Sequence, residues 1–343
     1  MNDSYSAAYA DDPSGKYTTR HSLGAYRTSE LMTTGNFLRF VGIPTFLKAP
    51  LLEQTQGARY GLVGIPYDGG VVRTPGARFG PRGIRAACWR APDYHPQFDI
   101  ALTECKTLVD CGDMQISPMS VADSLQTIDN CISSLLKRGI LPISVGGDHG
   151  ITYPILRAIN RQHGPVAVVH FDAHCDMQRG GFTHGTMFRY AVEEGLVSPT
   201  DFIQVGVRKI YGDDKFEFHT RHGIEVILAD ELDSLTEADL ALRFARLKGK
   251  KVYVTYDMDF VDQAHAPGTG SPEAGGPTST MALACVRALR GLDIVGMDLT
   301  EVAPVYDVRE MTCYLANLIL FEMAAVLLDA ERSRRTSSPA KAQ

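Results

Sequence analysis

This sequence predicts an α/β fold layered around a mainly parallel sheet. Three observations predict it. Short apolar, β-branched runs alternate with segments of helical periodicity along most of the chain. The runs are apolar at nearly every position, which suits strands buried on both faces of a parallel sheet. No internal repeat, low-complexity linker or composition break interrupts the alternation, so one domain accounts for the chain better than two.

Taken in order, strands are expected at 60–66, 107–110, 141–145, 166–171, 202–207, 252–256 and 293–299. Helices are expected at 121–137, 153–161, 234–247, 278–289 and 310–328, where apolar residues recur at helical spacing. Residues 1–35 are polar and rich in Ser, Thr, Tyr and Asp, and read as an irregular arm. Residues 36–330 are then expected to form a single domain. From Glu331 the chain reads ERSRRTSSPAKAQ, with no large apolar anchor, so 331–343 is expected to be a frayed tail.

Composition narrows the function classes. The 343 residues are 44% hydrophobic and 22% charged, which excludes disorder, collagen and a disulfide miniprotein. With 34 Lys+Arg against 40 Asp+Glu, the formal charge is −6. That argues against a nucleic-acid surface and slightly favours a cationic small substrate. Seven cysteines (Cys88, Cys105, Cys111, Cys131, Cys175, Cys285 and Cys313) form no C-x-x-C pair, which fits a reducing compartment. No secretory h-region and no run of roughly 18 apolar residues is present, so no membrane partner and a cytoplasmic location are expected.

Ligands in open parallel sheets bind beyond the carboxyl ends of the strands. The expected strand ends here deliver Gly146-Gly147-Asp148-His149, Asp172-Ala173-His174-Cys175-Asp176, Asp257-Met258-Asp259 and Thr300-Glu301. Asp172, His174 and Asp176 are spaced two apart, so in an extended segment they share a face. Asp257 and Asp259 repeat the spacing, and His149 completes a set of four carboxylates and two imidazoles. Oxygen and nitrogen ligands without thiolate suit hard to borderline divalent ions such as Mn²⁺. Four aspartates together would be very costly to bury without cations, and two divalent ions balance their charge. Two metals roughly 3.5–4 Å apart are a device for hydrolysis. No Gly-rich phosphate loop competes with that reading. Cys175 lies between two of these positions, so alternation turns it away to pack. His163, His170, His219, His222 and His265 have no comparable context and read as structural or surface residues.

The segments GIPYDGG (64–70), PGARFGPRGIR (75–85), GGDHG (146–150), DAHCD (172–176), HGTMFR (184–189), TYDMDFVD (255–262), APGTGSPEAGG (266–276) and DLTEVAP (298–304) occur in one order. In them the sequence resembles the ureohydrolases, the family of arginases and agmatinases, and is most similar to the agmatinase branch. The resemblance implies a three-layer α/β/α sandwich, assembled as a homo-trimer or homo-hexamer, with a hetero-oligomer containing a paralogue as the alternative. It implies two divalent metal ions, Mn²⁺ first and Ni²⁺ as the alternative. One would be held by His149, Asp172, Asp176 and Asp257. The other would be held by Asp172, His174, Asp257 and Asp259, with Asp172 and Asp257 as bridges. It further implies attack of a metal-bridging hydroxide on a guanidinium carbon, releasing urea and an amine. Glu301 matches the position that binds the guanidinium, and His184 the histidine that shuttles a proton.

Three departures concern the pocket wall. The loop between the D-x-H-x-D segment and His184 is only 177–183, shorter than agmatinase-like sequences carry. Residues 71–78 read VVRTPGAR where relatives often have N-R-P-G-A-R, and Gln263 follows Asp262 in place of proline. An arginase-type Asn/Ser pattern for an α-amino acid is absent. These point to a non-arginine guanidino compound, with a small or N-alkylated guanidine or a biguanide as the alternative. A formimino compound is a further alternative substrate, and a supporting subunit a non-catalytic one.

Overall fold

Strand β1 (Tyr60–Ile65) is buried at every position, as its unbroken apolar run requires. The computed structural model in which it sits describes residues 42–102, 105–210 and 216–337. Thr45–Gln343 forms one unit of the chain and Met1–Pro44 another, and the described residues of the first carry all that follows. The arm expected over 1–35 lies outside the described residues.

Two short strands, β2 (Tyr94–His95) and β3 (Ile100–Ala101), form a separate antiparallel ribbon. The remaining strands are β4 (Leu108–Asp113), β5 (Leu141–Gly146), β6 (Val166–Phe171), β7 (Val197–Val207), β8 (Glu225–Leu228), β9 (Lys251–Asp257) and β10 (Asp293–Thr300). They join β1 in an eight-stranded sheet of order β4-β1-β5-β10-β9-β6-β7-β8. Every pairing in it is parallel.

Helices cover both faces. They are α1 (Gly80–Ala87), α2 (Val121–Lys137), α3 (Thr152–His163), α4 (Met187–Glu193), α5 (Glu217–His222), α6 (Glu237–Phe244), α7 (Ser279–Arg287) and α8 (Met311–Ser337). Alternation along β6 shows the layering: Ala167, Val169 and Phe171 enter one core with α1, α6, α7 and α8. Val166 and Val168 enter the other with α2, α3 and α4. The α/β/α sandwich expected from the sequence is thus the observed fold. Local signals set several helix starts. Ser120 accepts a hydrogen bond from the Asp123 amide, and Thr236 with Asp239 forms a capping box.

The tail needs correction. Helix α8 does not end before Glu331 but runs through Ser337. Glu331 is buried, accepts from Arg59 at 3.0 Å and also binds Arg335. A charged pair reaching back to the segment before β1 supplies the anchor that no apolar residue provides. Residues 338–343 lie outside the described residues. By length and composition α8 would also span a bilayer, yet 83% of its apolar window is buried against the rest of the fold.

For function the strand order matters most. β5, β10, β9 and β6 are consecutive neighbours, and their carboxyl ends are level. Phe171 pairs with Tyr256, Thr300 with Asp257, and Leu299 with Val145. The residues that follow therefore emerge side by side along one rim.

Candidate active site

The turn after β5 is shaped by close approach. A β-carbon on Gly147 would lie 1.9 Å from the Tyr67 carbonyl oxygen, so only glycine fits. The Glu301 amide donates to the Gly147 carbonyl at 2.9 Å, tying this turn to the end of β10. His149 follows in a single 3-10 turn, fully buried.

His149 Nδ1 is the centre of the first cluster. Asp172 Oδ2, Asp176 Oδ2 and Asp257 Oδ2 each lie 3.1 Å from it. The other ring nitrogen is committed elsewhere. His149 Nε2 is 2.7 Å from the Thr255 hydroxyl, which donates its one proton to Asp298 Oδ1 at 2.6 Å. Thr255 must therefore accept from His149 Nε2–H. The Nδ1 lone pair faces three carboxylates, and among the described residues this buried nitrogen has no hydrogen-bond partner. Such an orphaned acceptor among acids is what a divalent cation would satisfy. Burial opposes a charge on His149. Without a cation, the Asp172, Asp176 and Asp257 carboxylates nonetheless lift its pKa well above the usual histidine range.

The second cluster lies around His174. Its Nδ1 is 3.1 Å from Asp259 Oδ2 and 3.4 Å from Asp172 Oδ1, and its Nε2 is 3.5 Å from Glu273 Oε1. Asp172 belongs to both clusters, one oxygen to each, and Asp172, His174 and Asp259 could together hold an ion. Asp257 turns Oδ2 toward His149, while its Oδ1 accepts from the Asp259 amide at 2.8 Å. All six residues singled out in the sequence as metal ligands thus meet in one buried nest.

The acids in it do not behave as ordinary carboxylates. Burial, then Asp259 and Asp172, raises Asp257 well above the usual range. Burial, then Asp172, raises Asp176 to about 6. Asp172 goes the other way. Burial opposes its charge, but the His170, His149 and His174 imidazoles hold it well below the usual value. The nest carries more negative charge than its histidines offset, which again suits cations.

Beside the nest, Glu301 and His184 are paired, His184 Nδ1 to Glu301 Oε1 at 2.9 Å. The same Oε1 accepts from the His149 amide at 2.8 Å. Glu301 holds this place with φ 63, a left-handed backbone uncommon for glutamate, and Asp176 does so with φ 51. Oε2 faces the 266–276 loop: a β-carbon on Gly270 would stand 3.7 Å from it and 3.0 Å from the Thr74 carbonyl. The glycine there keeps the cleft open.

Burial opposes a charged His184, yet its bond to Glu301 raises it to about 9. In the metal-free protein its stabilising contribution is complete below its unfolded value of 6.5 and is lost as pH rises through about 9. The Tm gap between metal-free wild type and His184→Asn is therefore expected to narrow between about pH 6 and about pH 10. A gap that stays constant in thermal melts refutes the pairing.

A sequence model described as the arginase family matches residues 58–325. The chain belongs to the arginase family. It is 41% identical to guanidinopropionase of Pseudomonas aeruginosa over 299 residues, 85% of this chain and 94% of that protein. It is 38% identical to mitochondrial agmatinase of Gallus gallus over 295 residues, 84% and 87% respectively. Among solved structures, proclavaminate amidinohydrolase of Streptomyces clavuligerus superposes with a TM-score of 0.81 at 37% identity. That match covers 85% of this chain and 99% of the other. As a family member the chain is a hydrolase of carbon–nitrogen bonds in linear amidines.

Among the residues of this arginase-family site that were not singled out in the sequence, two stand next to its key groups. Asp148 is fully buried and accepts from the Gly70 amide at 2.7 Å and the Gly150 amide at 2.9 Å. Burial, then Glu301, pushes it up to about 8. Its bond to Gly70 also steadies His184, whose amide donates to the Gly70 carbonyl at 3.0 Å. In sequence, an aspartate before a 3-10 turn reads equally as a cap. The second is His170, read only as a structural or surface residue. It is fully buried, and its Nε2 lies 2.7 Å from Asp172 Oδ2. The two-residue spacing His170-Phe171-Asp172 was the signal for it.

Proposed function

We propose that the nest holds two divalent cations and that the chain hydrolyses a non-arginine guanidino compound to urea and an amine within one catalytic domain. One observation carries this reading: the orphaned His149 Nδ1 and four converging aspartates lie directly beside the Glu301–His184 pair. His149, Asp172, Asp176 and Asp257 would hold one cation, and Asp172, His174, Asp257 and Asp259 the other. Mn²⁺ is the expected ion and Ni²⁺ the alternative, since both accept this donor set. When bound, the cations supply Lewis acidity and make water a nucleophile near neutral pH.

The chain's own residues supply the rest. Glu301 Oε1 is occupied by His149 N–H and His184, which leaves Oε2 to bind the planar guanidinium by charge-assisted hydrogen bonds. That carboxylate holds the reacting carbon against the nest. His184 Nδ1 is engaged by Glu301, so its Nε2, which accepts from the Val72 amide at 3.4 Å, is the nitrogen left to take up a proton and pass it to the nitrogen of the departing amine. The loops 69–74 and 177–183 flank His184 and form the wall against the substrate tail. Phe182 fastens the second loop by packing on Tyr153 and Tyr190, with centroids 5.5 and 5.9 Å apart. The activities for which the relatives are named, guanidinopropionase and agmatinase among them, support a guanidino substrate with a short tail. A small or N-alkylated guanidine is the second reading. Exposed Val72 favours it, an apolar residue at the rim whose amide lies 3.4 Å from His184 Nε2.

The test is urea release from a panel of guanidine, N,N-dimethylguanidine, 3-guanidinopropionate, 4-guanidinobutyrate, agmatine and arginine. The protein is loaded with Mn²⁺ or Ni²⁺ and its metal content verified. Urea from at least one member other than arginine is expected. Urea from none sinks the proposal, and formamide from a formimino compound would replace it.

A further inference from the structure

We propose that Gln204 is a positioning residue for the metal site: it sets the proton on His170 and, through it, the orientation of Asp172. The inference rests on the metal-site reading above.

The proton positions follow from one backbone carbonyl. Gln204 on β7 is fully buried, and its Nε2 lies 2.7 Å from the Cys175 carbonyl oxygen. A carbonyl only accepts, so the amide NH₂ end must be there. The same Nε2 is 2.9 Å from His170 Nδ1. An NH₂ group offers only protons, so His170 Nδ1 accepts and carries none. The neutral ring keeps its single proton on Nε2, which donates to Asp172 Oδ2 at 2.7 Å. Gln204 Oε1 is left to accept from His219 Nε2 at 2.8 Å. The chain runs one way, from His219 to Gln204 to His170 to Asp172.

Three consequences follow. His170 lies within reach of the His149, Asp172 and Asp176 ligand atoms, but its Nε2 bears a proton and cannot bind a cation. That proton occupies one lone pair of Asp172 Oδ2 and fixes the plane of the carboxylate shared by both clusters. Gln204's second donor fixes the backbone at Cys175, between His174 and Asp176. One amide thus steadies both halves of the D-x-H-x-D segment. The geometry leaves little freedom. His170 and Gln204 are cross-strand partners in the β6–β7 register, and the His170 ring packs against Phe188 at 4.5 Å.

Gln204→Glu is nearly isosteric, but its carboxylate can donate neither to Cys175 nor to His170. Mn²⁺ affinity is measured by competition with a chelating dye, alongside circular dichroism and the Tm of the metal-free proteins. The variant is expected to bind Mn²⁺ about 10–100-fold more weakly than wild type while remaining folded. If Gln204→Glu does not fold, the ratio is read on His219→Phe, expected to be weaker by about tenfold. His219→Gln, which can still donate to Gln204 Oε1, is expected to restore wild-type affinity. Tight Mn²⁺ binding by wild type with equal affinity in the folded variants overturns this proposal alone. A wild type that binds no Mn²⁺ overturns the metal-site reading and this proposal with it.

Discussion

Asp257→Ala is expected to lose bound metal and urea release together, the activity falling by on the order of 10⁴-fold or more. The size of the loss follows from the nucleophile: a bound cation would bring the ionisation of water close to neutral pH, whereas free water ionises only far above it. Asp257 reaches both halves of the nest, with Oδ2 3.1 Å from His149 Nδ1 and Oδ1 bonded to the Asp259 amide. Alanine therefore removes a proposed ligand and releases the turn that carries Asp259. The fold should survive, because β9 keeps its pairing to β10 and β6 through residues before the site. Elemental analysis, the urea assay and a thermal melt on one preparation check this. A folded variant that retains two cations per chain would refute the proposed role of Asp257 in holding both.

Glu301→Gln separates substrate binding from metal binding. Glutamine can still accept from the His149 amide at the position where Glu301 Oε1 does so at 2.8 Å, so metal content should match wild type. The negative charge is gone, and a buried cation deprived of its counter-charge costs about 3–5 kcal/mol. At about 1.36 kcal/mol per decade, kcat/KM should fall by at least about 10²-fold. Metal-loaded variant and wild type are compared by steady-state kinetics on the best substrate of the panel. A kcat/KM within about threefold of wild type would remove Glu301 from the guanidinium site.

Legibility in the sequence followed burial. Strands 166–171 and 252–256 could be read because both faces of each are covered, leaving unbroken apolar runs. The edge strand Glu225–Leu228 could not, since it is four residues long and partly exposed. The short helices α1, α4 and α5 were also missed. Helices of six to eight residues span about two turns, too little for a periodic pattern to stand out. The end of α8 was misread because its anchor is an ion pair to Arg59, 272 residues away.

The identity of the six ligand candidates could be read locally, since strand ends and two-residue spacing fix which side chains share a face. Their convergence could not. It depends on β10 and β9, late in the chain, inserting between β5 and β6, so that four separate carboxyl ends become neighbours. The Glu301–His184 bond spans 117 residues, and Asp148 reaches Gly70 across 78. The Gln204–His170 contact joins strands whose register no local pattern states. Local sequence specifies backbone preference and the direction of side chains. Which groups then share protons or cations is settled when long-range strand pairing closes the sheet and excludes water from its rim.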